Sequence, residues 1–235
     1  MAIYRLGRPI AFPHPSLAEP DGLLAVGGDL SPERLVAAYS EGIFPWFDER
    51  SPILWWSPDP RLVLEPAELH VSRTLRRTIR RGAYRVTADR AFERVIRSCA
   101  DRKRPNQRGT WITGEMIDAY VRLHELGLAH SFEAWEGETL AGGLYGVSLG
   151  GAFFGESMFA DRPDASKVAF VRSIEFLVDR GTDLVDCQVR TDHLVSLGAG
   201  EISRGEFLAR LRAALDRPTT RGPWDIESPA GPVRA

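Results

Sequence analysis

The chain is poor in cysteine, in clustered metal ligands and in long apolar runs. Only Cys99 and Cys187 occur among its 235 residues, which is too few for a disulfide framework or a zinc cluster. The five histidines show no ligand spacing, so neither a metal site nor a cofactor is expected. No run approaches the roughly 18 apolar residues of a membrane span, and the N-terminus lacks the apolar core of a signal peptide. We therefore expect a cytoplasmic protein without disulfides.

Charge is nearly balanced over the whole chain but is distributed unevenly. A formal net charge of -2 would argue against nucleic-acid binding if the charges were evenly spread. Between Arg73 and Arg108, however, only Asp89, Glu93 and Asp101 oppose a majority of basic side chains. This segment keeps nucleic acid among the possible partners.

The first sixty residues differ in composition from the rest. Up to Arg61 the sequence is rich in Pro, Gly and Trp. One helix is evident there, with Ser31 as its N-cap, a proline in its first position and Gly42 after its last periodic residue. We predict a small loop-rich N-terminal domain at residues 1–61 and a larger domain at residues 62–235.

The larger region predicts helices on either side of a strand meander. Apolar spacing and capping residues predict helices over residues 72–81, 91–100, 113–127, 165–179 and 203–215. Alternating side chains and turn residues predict strands over residues 131–135, 140–148, 151–159 and 184–189. Short turns join the first three of these strands, which indicates an antiparallel meander. The element order predicts an α+β fold.

The strand that contains Asp186, Cys187 and Gln188 is one candidate site. Side chains alternate along a strand, so Asp186 and Gln188 are expected on one face and Cys187 on the apolar face with its valine neighbours. A buried thiol argues against a nucleophilic arrangement of Cys187 with His193. For Asp186 and Gln188, spacing alone leaves both a catalytic role and a polar strand end open.

Glu156 is a carboxylate inside an otherwise apolar strand. Burial of an unpaired charge there would cost several kcal/mol, so we expect a cationic partner. That partner is either an internal side chain, with Lys167 as the candidate, or a cationic group of a substrate.

Tryptophans are frequent near the arginine-rich segment. Trp46, Trp55, Trp56 and Trp111 are of a type found more often in cores than on base-stacking surfaces. Exposed rings beside basic side chains, however, are what single-stranded RNA ends require. Both interpretations stay open from composition alone.

Several segments resemble the bacterial leucyl/phenylalanyl-tRNA-protein transferases. The matching segments are DGLLAVGGDLSP at 21–32, GIFPWF at 42–47, WWSPDPR at 55–61, GTWIT at 109–113, GGLYGV at 142–147, GESMF at 155–159, DCQV at 186–189 and SLGA at 196–199. The resemblance implies that the larger domain has an N-acetyltransferase-like (GNAT-like) α/β fold. It also implies aminoacyl-tRNA carrying Leu, Phe or Met as donor, acceptor proteins with N-terminal Arg or Lys, and a role in protein degradation.

The same resemblance implies roles for particular residues. Glu156 would hold the basic side chain of the acceptor, and Trp46 and Trp111 would contact the terminal adenosine of the tRNA. The pocket for the donor side chain would be lined by Leu144, Phe153, Met158, Phe170, Leu177 and Val185. Strict alternation separates Phe153 from Glu156, and Val185 from Asp186. Either a β-bulge near Gly155 or a pocket that reaches around the sheet is therefore expected.

A catalytic hypothesis follows from the chemistry of an activated ester, which requires mainly a neutral and well-placed amine. The amide oxygen of Gln188 would accept a hydrogen bond from this amine, while Asp186 would orient Gln188 and help to receive the proton. A set of basic side chains would bind the phosphates of the tRNA. The alternative is that these side chains only form a solvated helix face. These are Arg76, Arg77, Arg80 and Arg81.

Two other functions compete with this hypothesis. An acyl-CoA-dependent N-acetyltransferase would share the implied fold, but it requires a glycine-rich pyrophosphate loop that is not evident in the sequence. A non-catalytic RNA-binding protein would retain tRNA binding without transfer.

Overall fold

The computed structural model describes residues 3–102 and 110–228. Lys103, Arg104 and Arg108 of the basic segment, and Gly109 of the GTWIT motif, lie outside the described residues. Within the described part, helices and strands mix in a two-sheet α/β architecture. The helices are α1 Pro32–Ser40, α2 Arg73–Arg80, α3 Phe92–Ala100, α4 Gly114–Glu125, α5 Ala165–Asp179, α6 Asp192–Val195 and α7 Arg204–Leu215.

The strands form one small and one large sheet. Four short strands form the first sheet in the order β1-β2-β4-β3. They are β1 Tyr4–Leu6, β2 Leu23–Gly27, β3 Phe44–Pro45 and β4 Leu54–Trp56. Eight strands form the second sheet in the order β11-β5-β10-β9-β8-β7-β6-β12. They are β5 Arg61–Leu64, β6 Arg85–Ala88, β7 Ala129–Glu136, β8 Thr139–Leu149, β9 Ala152–Ala160, β10 Leu184–Gln188, β11 Gly200–Ile202 and β12 Glu227–Ser228.

The predicted meander is confirmed as β7, β8 and β9, which pair antiparallel. The chain then crosses through α5 and returns as β10, which pairs parallel to β9. This crossover places β10 inside the sheet, between β9 and β5. The predicted strand at 184–189 is therefore confirmed, one residue shorter than expected.

Helix starts follow the predicted capping residues. The hydroxyl oxygens of Ser72, Thr113 and Ser203 each accept a backbone N–H bond in the first turn of α2, α4 and α7. Ser31 precedes α1 as predicted, but its side chain makes no capping bond. Its own N–H donates instead to Asp29 at 2.9 Å. Sequence capping rules thus located the helix starts.

The buried faces of two helices differ slightly from those that apolar spacing predicts, which are Ile117, Tyr120, Val121 and His124 in α4 and Leu208, Leu211 and Leu215 in α7. In α4 the buried residue near the end is Leu123, whereas His124 is only half-buried. In α7 Phe207 and Ala214 are buried on either side of Leu211. Apolar residues on neighbouring positions made both faces ambiguous in the sequence.

Two apolar clusters cover the two faces of the large sheet. One cluster contains the buried residues of α3, α4 and α7, and it continues without a break into Leu35 of α1 and Trp55 of β4. The other contains the buried residues of α2 and α5. The first sheet ends at Trp56 and the second begins at Arg61, close to the predicted boundary, but they share one core cluster.

The segment after α7 returns to the sheet and is anchored there. The Trp224 ring stacks on His130 with a centroid distance of 3.4 Å. The backbone N–H of Trp224 and Nδ1 of His130 both donate to the Asp89 carboxylate. The chain then pairs antiparallel with β6 as β12, which is the last strand at this edge of the sheet. None of the described helices has the length and apolarity that a membrane crossing requires.

Candidate active site

A cleft of about 620 Å³ opens where β8, β9 and β10 meet α5 and the loops that contain Trp46 and Trp111. Its lining is mainly apolar and includes Glu156 and Gln188. The sequence candidates from six separate segments therefore meet in one place. This convergence is the reason to regard the cleft as the functional site.

Two irregularities in the strands shape this cleft. In the β8–β9 pairing, Tyr145 faces Ser157 while Gly146 faces Gly155, so Glu156 is an extra residue in β9. The expected bulge is confirmed, and it lies at Glu156, next to Gly155. Gly146 has no room for a side chain, because a Cβ atom there would collide with the Phe153 ring at 2.6 Å. The bulge lets Phe153 and Glu156 reach the same cleft.

Glu156 is held by hydroxyl and amide groups. Tyr39 of α1 donates to its Oε1 at 2.8 Å, Tyr120 of α4 to its Oε2 at 3.0 Å, and the Gln188 amide nitrogen to its Oε1 at 2.9 Å. The two hydroxyl oxygens also lie against each other, so one of the two hydroxyl hydrogens is shared between the Glu156 carboxyl group and the neighbouring tyrosine oxygen. Burial raises the pKa of Glu156 to about 7, although the two tyrosine hydroxyls act in the opposite direction.

The expected internal cation of Glu156 is not Lys167. The Lys167 ammonium group pairs at 3.2 Å with Asp164, the residue that immediately precedes α5. Hydroxyl donors offset the cost of burying Glu156 instead, because they form hydrogen bonds with the carboxylate without adding charge. Burial also raises the pKa of Tyr39 and Tyr120, so both remain protonated donors.

Asp186 lies behind the cleft wall rather than on it. It is fully buried and forms a two-bond ion pair with Arg61, at 2.8 Å to Nε and 2.6 Å to Nη2. Its Oδ1 also accepts the backbone N–H of Gln188 at 2.9 Å. Asp186 is not among the residues that line the cleft.

The expectation that Asp186 and Gln188 share one strand face was wrong. The β10–β5 register shifts between Asp186 and Gln188, and Gln188 has a left-handed φ of 59°. This turn of the backbone brings the Gln188 side chain to the cleft, where Val185 and Cys187 also lie. The hydrogen bond from Gln188 N–H to Asp186 holds this uncommon conformation in place.

Cys187 is a buried thiol, as predicted. Burial and the nearby Asp186 carboxylate raise its pKa, so the thiolate required of a nucleophile is disfavoured. Among the described residues, no group of three or more His, Cys, Asp or Glu side chains is arranged to hold a metal ion.

Five of the six residues assigned to the donor pocket line the cleft. They are Leu144, Phe153, Met158, Phe170 and Val185. Leu177 does not line it and packs in the core between α5 and the sheet. Ser173, one turn before Leu177, is also buried, and its hydroxyl donates to the Phe170 carbonyl at 2.7 Å. The cleft therefore follows the first half of α5 only.

The four tryptophans divide between the cleft and its support. Trp46 and Trp111 are half-buried and line the cleft. Trp55 is fully buried in the core, and the Trp56 indole N–H donates to the Trp46 carbonyl at 2.7 Å. The core interpretation thus holds for Trp55, whereas Trp56 supports the loop that presents Trp46.

The arginines assigned to tRNA phosphates lie outside the cleft. Arg76, Arg77, Arg80 and Arg81 are exposed on and just after α2, opposite the buried Leu75 and Ile79. Their exposure fits both a phosphate contact and a solvated helix face. Sequence reasoning missed Tyr39, Tyr120 and Arg61 as parts of the site, because nothing in their local sequence links them to residues more than thirty positions away.

Comparisons with known proteins establish the family to which the chain belongs. The model of the leucyl/phenylalanyl-tRNA protein transferase family matches residues 63–212, and that of its N-terminal domain matches residues 28–59. Relatives named leucyl/phenylalanyl-tRNA–protein transferase come from Anaeromyxobacter sp. (strain K) and Maridesulfovibrio salexigens. The first is 75% identical over 99% of both chains, and the second is 62% identical over 96% of this chain and 95% of its own.

The protein is therefore an aminoacyltransferase that acts on proteins. It belongs to the leucyl/phenylalanyl-tRNA protein transferase family. A solved structure, L-PGS from Bacillus licheniformis, aligns over 74% of this chain and 55% of that chain, at 13% identity. Its TM-score of 0.39 is too low to bear on the fold.

Proposed function

We propose that this enzyme transfers leucine, and also phenylalanine and methionine, from aminoacyl-tRNA to the N-terminal Arg or Lys of acceptor proteins, which marks them for degradation in the cytoplasm. One observation carries the proposal. Glu156 is a buried carboxylate on the wall of an apolar cleft, and within the described part of the chain its bonds come from hydroxyl and amide groups rather than from a cation. A cationic acceptor side chain would complete this site.

The donor amino acid would occupy the apolar part of the cleft. Leu144, Phe153, Phe170 and Val185 offer it almost fully buried side chains. Met158 is half-buried and flexible, so it can adapt to donors of different shape. An apolar pocket separates such side chains by only about 1–3 kcal/mol per methylene, which supports the use of more than one donor.

The terminal adenosine of the tRNA would pack against Trp46 and Trp111 at the rim of the cleft. Stacking of an unpaired base on a flat aromatic ring stabilises the complex by about 1–3 kcal/mol per base. The four arginines on and after α2 would attract the phosphates of the acceptor stem in a salt-dependent manner. We further propose that the large sheet is a GNAT-like domain from residue 62 and that residues 1–61 form the smaller domain.

Peptide transfer would depend mainly on placement of the amine. The amide nitrogen of Gln188 is engaged with Glu156, which leaves its amide oxygen to accept a hydrogen bond from the attacking amine. The amine nitrogen forms the new C–N bond and the ester C–O bond breaks. The proton lost by the amine balances the proton taken up by the departing ribose oxygen.

Asp186 would act as a positioning residue in this reaction. Its carboxylate oxygens are engaged by Arg61 and by the backbone of Gln188, so the role of proton acceptor is not assigned to Asp186. It fixes the backbone turn that presents Gln188 to the cleft. A neutral fraction of the acceptor amine, whose pKa is roughly 7.7–8.0, already exists without a strong base.

A transfer assay with matched peptides tests the proposal. Labelled leucyl-tRNA is mixed with peptides that begin with Arg or with citrulline, which has nearly the same shape and no charge. We expect transfer to the Arg peptide and much less to the citrulline peptide. Acetylation from acetyl-CoA would instead favour an acetyltransferase, and tRNA binding without any transfer would favour a non-catalytic RNA-binding protein.

A further inference from the structure

The turn that follows β10 contributes a histidine to the cleft that has no role so far. His193 in α6 lines the cleft, and its Nε2 lies 3.2 Å from the Met158 sulfur. Thr191 caps this turn by accepting the Leu194 N–H at 3.2 Å, and the Ser196 hydroxyl donates to the His193 carbonyl at 2.7 Å. The backbone around His193 is thus held from both sides.

The contact between His193 and Met158 is a hydrogen bond from Nε2–H to sulfur. Burial, together with the nearby Lys167 charge, lowers the pKa of His193, so the ring is neutral near pH 7 and carries one N–H. Thioether sulfur is a weak acceptor, but a methionine side chain has three rotatable bonds to immobilise. The bond therefore selects one position of Met158.

Met158 is the movable part of the donor pocket. Leu144, Phe153, Phe170 and Val185 are each at most 4% exposed and are fixed by core packing. Met158 is half-buried, so a change in pocket size falls mainly on this side chain. Whatever holds Met158 in place therefore limits the size of donor that the pocket accepts.

We propose that His193 is a specificity-determining positioning residue, which restrains Met158 and so disfavours the larger phenylalanine side chain relative to leucine. This inference rests on the proposed function. Release of Met158 enlarges the pocket on the side of α6. The effect falls on the choice between donors, because His193 contacts the wall of the pocket and not the acceptor site at Glu156.

The test compares kcat/KM for leucyl-tRNA and phenylalanyl-tRNA with one Arg peptide. We expect His193→Ala to shift the ratio toward phenylalanine about threefold to tenfold, in line with the modest discrimination of apolar pockets. His193→Gln, which keeps an N–H donor, should restore most of the original ratio. Met158→Leu keeps the volume and removes the sulfur, so adding His193→Ala to it should produce little further shift.

Two outcomes would overturn the inference. The ratio of the His193→Ala enzyme could stay within twofold of the unmodified one, or the same shift could appear on the Met158→Leu background. The unmodified enzyme separates this failure from failure of the proposed function. Transfer of neither amino acid by the unmodified enzyme contradicts the function itself, whereas transfer of both with an unmoved ratio contradicts only the role of His193.

Discussion

Acceptor binding should strengthen as pH rises through 7, because the cationic acceptor needs the ionised form of Glu156. The pKa of Glu156 is raised from 4.5 to about 7 by burial. With that pKa, about one tenth of the carboxyl groups are ionised at pH 6 and about nine tenths at pH 8. The affinity for an Arg peptide should therefore rise about tenfold across this interval and change little above it.

The assay is peptide binding by calorimetry without tRNA, so that chemistry does not contribute. The α-amine of the peptide also titrates in this range, and Glu156→Gln provides the matched control because the same peptide titrates with both proteins. The ratio of the two dissociation constants isolates Glu156. Tyr39→Phe removes a hydroxyl that lowers the pKa of Glu156, so the midpoint should move above 7.

The raised pKa of Glu156 also affects the free energy of unfolding, which should fall as pH rises whereas acceptor affinity rises. Between pH 4.5 and about 7 the folded protein keeps its Glu156 proton while the unfolded chain has lost its own. The unfolded state then binds fewer protons, so the free energy of unfolding falls as pH rises, by about 3 kcal/mol over this window. Glu156→Gln should remove that contribution. A dissociation-constant ratio that stays constant from pH 6 to pH 8 would refute the reasoning for both quantities.

Three further predictions concern the ion pair, the tail and the basic helix. Asp186→Asn leaves Arg61 buried without its carboxylate partner, so the free energy of unfolding measured by chemical denaturation should fall by about 3–5 kcal/mol. The value of kcat should fall more than the affinity for tRNA. Equal losses of kcat and affinity would contradict the positioning role. Trp224→Ala removes a buried aromatic ring that stacks on His130, and the unfolding free energy should fall by about 3–5 kcal/mol; an unchanged value would mean that the tail does not stabilise the sheet. Charge reversal at Arg76 and Arg80 should weaken tRNA binding at low salt and have a smaller effect at high salt. Charge reversal at the exposed Arg212 on α7 is the control. If both changes have the same effect, the α2 arginines are not part of the tRNA interface.

Helices and the central meander could be predicted because local rules determine them. Thr113 and Ser203 are predicted N-cap residues, and the structure confirms both by hydrogen bonds. The helix predicted from Ser72 is confirmed as well, and Ser72 caps it. The short strands β1 to β4 could not be predicted, since two to five residues among prolines and glycines carry too little alternation. Strand β5 is buried at all four positions, so it shows no alternation at all.

Without the family resemblance, the cleft could be predicted only where one residue is unusual in its own surroundings. Glu156 stands out as a charge in an apolar strand, but its tyrosine partners are ordinary apolar-face residues of distant helices. Arg61 is 125 residues from Asp186, so their ion pair leaves no local trace. Strand parity failed at Gln188 because a positive φ in a residue other than glycine is not readable from sequence.

The shared core cluster has a consequence for the ancestry of this enzyme. Tyr39 and Trp46 belong to the segment that precedes the large sheet, yet Tyr39 donates a hydrogen bond to Glu156 and Trp46 lines the same cleft as Glu156. A recombination that exchanged this segment for unrelated sequence would remove one wall of the cleft and uncover part of the core. The two portions of the gene are therefore constrained to be inherited together, and compensating changes on either side of residue 60 should accumulate in pairs.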